Sequence, residues 1–399
     1  MENNQEKLLA EISNDEIKYV VLTIDQNLNY RITEKWISKN SGIKEGSIIN
    51  LESATKIVYQ DLKKIEKKLN KIFRNITVII NQKEIFCTNV TCYKKLNGAK
   101  VEKRDLDYIL NEGKLLIIKS YEKNSILHIL NSKFFTDKIS QNKIPLNIFA
   151  DHLSLGMTFL LLPKNSIKNV KSLFDQNDLI VERILSRPLM TGFNLINENK
   201  SFKNFLVINF DNDLSTITIY ENSSLVFLKT FRFGINSIYK DLSQLCSLKK
   251  EEIEVILKSL DFNQIKSKNN KYLDKKFFTK SEFTKLSITH IQEIINSRIE
   301  EMINYIFNKN TNISFFKNKF SHIYLLFEDK IVEDNLAKVF KKFFQVDQNK
   351  IILNSKTLND SSIVGAAELI TKGWDSEAIP YSEEKKSILA GIFSRFFNN

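Results

Sequence analysis

Residues 8–37 read LLAEISNDEIKYVVLTIDQNLNYRITEKWI, and residues 205–231 read FLVINFDNDLSTITIYENSSLVFLKTF. Each stretch is three short apolar strands joined by polar turns. In the first, Leu8–Ile12 and Ile17–Ile24 flank the turn Ser13-Asn14-Asp15, and a turn at Asp25–Asn29 leads back through Tyr30–Ile37. In the second, Phe205–Asn209, Thr216–Tyr220 and Leu225–Phe231 repeat the plan around the turn Asp211-Asn212-Asp213. A helical segment follows each meander. One unit recurring in two halves predicts a duplicated α/β core.

The first turn of each meander bears on chemistry. A hairpin that grips phosphate points backbone N–H groups inward with no Cβ in the way, so glycine is the residue of choice there. Asn and Asp tolerate the left-handed backbone a tight turn needs, so both hairpins can form. Their side chains, however, crowd the space of a phosphate. Carboxylates also repel one, by roughly 1 kcal/mol per close pair even in a water-like dielectric. Taken alone, the turns read equally as polar surface hairpins.

At 399 residues the chain is too long for one simple domain. No apolar run approaches the roughly 18 residues of a spanning helix. The polar stretch Met1–Lys7 lacks the apolar core of a signal peptide, and three cysteines (Cys87, Cys92, Cys246) make no disulfide framework, so a reducing cytoplasm is expected. The net charge of +12 is spread along the whole chain without an Arg-rich stripe, which argues against nucleic acid. No metal site or Ser/His/Asp triad can be assembled, and the scattered histidines read as structural.

Between the meanders, Ala54, Val58, Leu62, Ile65, Leu69 and Ile72 mark one stripe of a long helix. From Ile85 to Leu162 the pattern changes. Strands at Ile85–Val90, Leu115–Lys119, Leu127–Leu130 and Leu153–Leu162 surround a small helix at Arg104–Leu110, an α+β insertion. Another helix, Lys285–Phe307, carries Arg298 and Glu301 three residues apart on one face, where a solvated ion pair is the plain reading. Residues 375–384 read as a polar linker. Beyond it, Ile388, Leu389, Ile392, Phe393, Phe396 and Phe397 form one face of a helix edged by Lys385, Lys386 and Arg395. Such a helix lies in an anionic bilayer interface, or else packs on a core or partner groove.

In order, these pieces resemble the bacterial cell-division family FtsA, and the duplicated meander resembles an actin-like (ribonuclease-H-like) ATPase core. Ser41-Gly42-Ile43-Lys44-Glu45-Gly46-Ser47-Ile48 is similar to the family's S-x-G-x-x-x-G-x-I segment with shorter spacing. Phe233-Gly234 and Lys240-Asp241-Leu242 resemble its later glycine and D-I-A elements. Ile294-Ile295-Asn296-Ser297-Arg298-Ile299-Glu300-Glu301 is similar to its I-I-x-x-R-x-x-E helix. The departures all face the nucleotide. D-I-G-T is Glu11-Ile12-Ser13-Asn14, D-I-G-G-G-T-T-D runs Asn209–Thr216, and G-G is Gly234-Ile235. A-E-x-x-K is Ile253-Glu254 with Lys258 one place late, and the adenine-side G-G-G is replaced near Phe327-Glu328-Asp329.

The resemblance implies a two-lobed fold with an SHS2-type insertion and a C-terminal amphipathic helix. Residues 1–84 and 163–200 would form the first lobe and 85–162 the insertion. Residues 201–374 would form the second lobe, with 239–315 its smaller subdomain, and 385–399 the helix. It implies an adaptor that binds FtsZ through Arg298 and Glu301, self-associates, recruits later divisome proteins, and binds anionic lipids on the cytoplasmic face of the membrane at the septum. Glu11, Ser13, Asn14, Asn209, Asp211, Asn212, Asp213, Gly234 and Glu254 would line a degenerate nucleotide site without hydrolysis. The alternative is a polymerising ATPase in which Asp211, Asp213 or Glu11 holds ATP phosphates through Mg²⁺. A pilus-assembly relative of actin is a third possibility.

Overall fold

The structure is a computed structural model that describes residues 5–13, 16–141, 143–199, 203–262, 272–317, 319–353 and 358–378. The first meander is β1 (Gln5–Ile12), β2 (Glu16–Ile24) and β3 (Tyr30–Lys39). β1 and β2 pair antiparallel from Gln5↔Ile24 to Ile12↔Ile17, which fixes Ser13 at the turn. A small hairpin, β4 (Ile43–Lys44) with β5 (Ser47–Ile48), then turns the chain into α1 (Leu51–Leu69). Gly42 and Gly46 take positive φ there, and the Gly42 carbonyl accepts the Ile49 and Asn50 N–H groups. Asn50 caps α1, its side chain accepting the Ser53 N–H at 3.0 Å. Ala54, Val58, Leu62 and Ile65 are buried as their spacing requires. Ile72, expected on that stripe, is 77% exposed, because the helix stops at Leu69 and Asn70 turns left-handed.

β6 (Asn75–Ile80) runs parallel to β1. The insertion follows as β7 (Phe86–Lys95), α2 (Lys103–Ser120), β8 (Asn124–Thr136), β9 (Ile139–Gln141) and β10 (His152–Pro163). Its sheet runs β7-β10-β8-β9, with Ile109, Ile117, Leu155 and Phe159 in the core. The strand expected at Leu115–Lys119 is the end of α2 instead. A capping box between Glu102 and Asp105 starts that helix, and Ile109, Gly113 and Ile117 keep one helical face inward while Leu115 and Leu116 face out. α3 (Lys164–Asp175) and β11 (Ile180–Ser186) return to the first sheet, where β11 lies parallel to β6, and α4 (Arg187–Glu198) follows.

The second meander is β12 (Phe205–Phe210), β13 (Ser215–Glu221) and β14 (Ser224–Phe231). Helices α5 (Asn236–Cys246), α6 (Lys250–Ser259) and α7 (Ile288–Ile303) come next; α7 ends in a π-turn at Asn304–Asn308. β15 (His322–Phe327), α8 (Lys330–Lys342), β16 (Ile351–Leu353) and α9 (Leu358–Lys372) complete the order. The two large sheets share one topology. The first runs β3-β2-β1-β6-β11 and the second β14-β13-β12-β15-β16, each a three-strand meander extended by two parallel strands. Parallel neighbours need crossovers, and helices supply them.

Contacts group the described residues into two units. One comprises those of Met1–Lys203, Tyr220–Lys229 and Ser361–Asn399, the other those of Asn204–Ile219 and Thr230–Asp360. Most of α9, expected with the second half, thus belongs to the first unit. There the carbonyl of Met190 would overlap any Cβ at Gly365. The expected linker at 375–384 also begins inside the first unit. Asn131 N–H donates to Ser376 O, Ala378 N–H donates to Ile129 O, and Glu377 is buried.

Candidate functional site

In the first unit, β1 carries Glu11 inward to a site 2% exposed. The Arg187 guanidinium, itself buried at the start of α4, lies 2.8 Å from its carboxylate. Ser362 Oγ donates to the same oxygen at 3.1 Å. Glu11 is thus bound by α4 and α9. Ser13 closes the hairpin on itself: its N–H and hydroxyl donate to the Glu16 carbonyl, and the hydroxyl accepts the Glu16 N–H. Asn14 lies outside the described residues.

In the second unit, Asp211, Asn212, Asp213 and Gly234 are brought together. The Ile235 N–H donates to Asp211 O at 3.0 Å, and the Asn236 N–H to Asn212 O at 2.8 Å. The Asn236 amide also donates to Asp213 Oδ1 at 2.9 Å. A Cβ at Gly234 would collide with the Asp211 and Asn212 carbonyls, so only glycine allows this approach. The Asn212 N–H is the sort of donor a phosphate would use, and the Glu328 carboxylate holds it at 3.0 Å. Asn209, at the end of β12, is 1% exposed, and neither atom of its amide has a hydrogen-bond partner among the described residues.

Glu254 stands half-buried on α6, close enough to act electrostatically on the Tyr239 hydroxyl. That hydroxyl donates to Asp329 at 2.9 Å, and burial together with Asp329 pushes its pKa far above the usual tyrosine value. Glu252, two residues earlier on α6, has a structural role in the helix's capping box. It accepts the Lys249, Lys280 and Ser281 N–H groups, and these bonds, with that of the Ser281 hydroxyl, hold it at about 2 against the opposing effect of burial.

The actin-type core implies a magnesium nucleotide, and these residues do not fit one. The carboxylate at the first turn already has a buried guanidinium. The second turn has spent its carbonyls and the Asn212 N–H internally. Among the described residues no group of three or more His, Cys, Asp or Glu side chains stands ready for a metal ion.

A different constellation lies between α5 and α7. Arg298 makes a bidentate pair with Asp241 at 2.5 and 2.9 Å, and also donates to Glu301 at 2.5 Å. The expected Arg298–Glu301 pair is therefore one side of a three-residue cluster, and the planar guanidinium is fixed in place. It borders a groove of about 330 Å³ lined also by Leu245, His290 and Ile294. Leu245 is 64% exposed, so the groove offers an apolar wall beside fixed charge.

Lys385, Lys386, Ile388, Leu389, Ile392, Phe393, Arg395, Phe396 and Phe397 lie outside the described residues. Sequence reasoning missed Arg187, Ser362 and the role of Glu328, because each acts on a partner remote in the chain. Asp241 stood inside a recognised motif, but nothing in the spacing tied it to Arg298.

No protein-family model matches the chain. Among curated proteins, it is 19% identical to the cell division protein FtsA of Buchnera aphidicola subsp. Schizaphis graminum, over 75% of this chain and 71% of that one. It is 18% identical to the FtsA of Borreliella burgdorferi over 62% of this chain and 60% of the relative, and 16% identical to that of Escherichia coli K12 over 54% and 51%. Beyond the Buchnera match, then, the alignments span about half to three-fifths of the relatives. Among solved structures, the PilM-PilN type IV pilus biogenesis complex aligns over 92% of this chain and 97% of the matched one, with a TM-score of 0.55 and 9% identity. That likeness shows the fold.

Proposed function

We propose that this chain, an FtsA-like protein with the actin fold, is a cell-division adaptor that ties FtsZ filaments to the inner face of the cytoplasmic membrane. The shared name of its curated relatives supports the cell-division role. The observation that carries the adaptor reading is the groove between α5 and α7. Its fixed Arg298, its Asp241 and Glu301 partners and its apolar wall suit an extended peptide segment with both apolar and charged side chains. FtsZ would dock there. Residues 385–397 would lie in the membrane interface, with Lys385, Lys386 and Arg395 toward anionic headgroups. Among the described residues no helix is long and apolar enough to cross a membrane.

In this reading the protein works at the division septum, associates with copies of itself, and recruits later divisome proteins. It neither binds nucleotide tightly nor hydrolyses it, because both turns are occupied internally. Binding of purified FtsZ filaments to wild type and Arg298→Ala tests the groove. Weakening of about tenfold, with an unchanged melting temperature, is expected. Equal binding by both proteins would remove the groove from the interface.

A further inference from the structure

We infer that each half of this core carries in its own side chains the charge that a magnesium nucleotide would otherwise bring: Arg187 stands in for the cation at Glu11, and Glu328 for the anion at the Asn212 N–H. The first substitution lies wholly in the first unit. Glu11 and Arg187 have side chains 2% and 3% exposed, 2.8 Å apart, with Ser362 on the same carboxylate oxygen. Arginine keeps its charge at any working pH, so this cation is permanent. A metal ion would have to displace it and leave a guanidinium buried without its partner, which is strongly unfavourable.

The second substitution lies wholly in the second unit. The Asn212 N–H points at the Glu328 carboxylate, which starts at the end of β15, and the turn is held from its other side by the Ile235 and Asn236 N–H groups. An incoming phosphate would meet a like charge on the donor it needs. The two halves are thus each complete without a ligand, and the core is nucleotide-free by construction rather than merely weakened by lost glycines. This rests on the nucleotide-free part of the proposed function and not on the membrane part, since a chain that bound nucleotide could still tether filaments.

The test is the melting temperature of the full chain with Mg-ATP, Mg-ADP and a non-hydrolysable ATP analogue at millimolar concentration. No shift is expected, whereas tight binding would raise it by several degrees and overturn the inference. Two variant sets separate the halves. Arg187→Met should lower the melting temperature sharply, and Glu11→Gln/Arg187→Met should recover most of the loss; additive losses would overturn the cation half. Glu328→Ala should gain stabilisation by inorganic pyrophosphate that wild type lacks. Identical responses would overturn the anion half.

Discussion

His128 Nδ1 donates to Glu377 Oε1 at 2.9 Å while its Nε2 accepts the Ser186 N–H at 3.2 Å. The second bond fixes the tautomer: Nε2 carries no proton, so the ring is neutral. Burial lowers the imidazole pKa and outweighs the pull of Glu377. Burial would raise Glu377, but Arg183, which pairs with it, and His128 overcome this and hold it at about 2. The contact fastens the chain at residue 377 to β8 of the insertion.

Acid sensitivity follows, with the same sign for both groups. Glu377 has a lowered folded value, so its contribution is full above the unfolded value of about 4.3 and is lost as pH falls toward about 2. His128 is held neutral, and the unfolded imidazole takes up a proton below about pH 6.5, so stability falls there too. Urea unfolding from pH 8 to pH 3 should show stability dropping in two stages. Glu377→Gln should shrink the lower stage, leaving the share that Glu252 carries, and cost about 3 kcal/mol at neutral pH, because Arg183 loses its partner. An unchanged pH profile in the variant would refute the assignment.

Gly234→Ala should destabilise by about 1–3 kcal/mol. The added methyl would meet backbone carbonyls of the 211–212 turn, which cannot swing aside as a side chain can. Chemical denaturation measures this directly, and a neutral substitution would mean that the turn yields.

Asn209→Leu should stabilise the protein by about 1 kcal/mol. The buried amide finds no partner among the described residues, and replacing an unsatisfied polar group by an apolar one of similar size removes its desolvation cost. A loss of stability would show that the amide serves an unseen ligand or water.

Asp241→Asn should weaken FtsZ binding less than Arg298→Ala does, since the amide still accepts one guanidinium bond. Its effect on stability should stay at about 1 kcal/mol, because the half-buried Arg298 keeps one bond to the amide and its second partner, Glu301. Equal losses of binding would mean that Asp241 itself touches the partner.

The duplicated core was legible because strand alternation and turn residues are local signals, and both meanders formed where the pattern placed them. The end of α2 was not. Leu115 to Ile118 is a continuous apolar run that fits a strand or a helix, and what decides it is the packing of Gly113 and Ile117 against the insertion's sheet. Glu377 looked like linker because a lone carboxylate in a polar stretch gives no sign of a buried partner. At the candidate site, the missing glycines were visible, but the side chains that replaced the ligand's charges were not. Glu11 meets Arg187, and Asn212 meets Glu328, only after the chain has folded.

Lipid co-sedimentation with FtsZ tests the adaptor role most directly. The full chain is compared with one ending at Glu384, using anionic vesicles and no added nucleotide for the adaptor. The full chain should carry FtsZ filaments into the vesicle pellet, and the truncated chain should bind FtsZ yet leave it in solution. If the full chain also leaves both the vesicles and FtsZ untouched, the tethering role is wrong, and the likeness to FtsA extends no further than the fold.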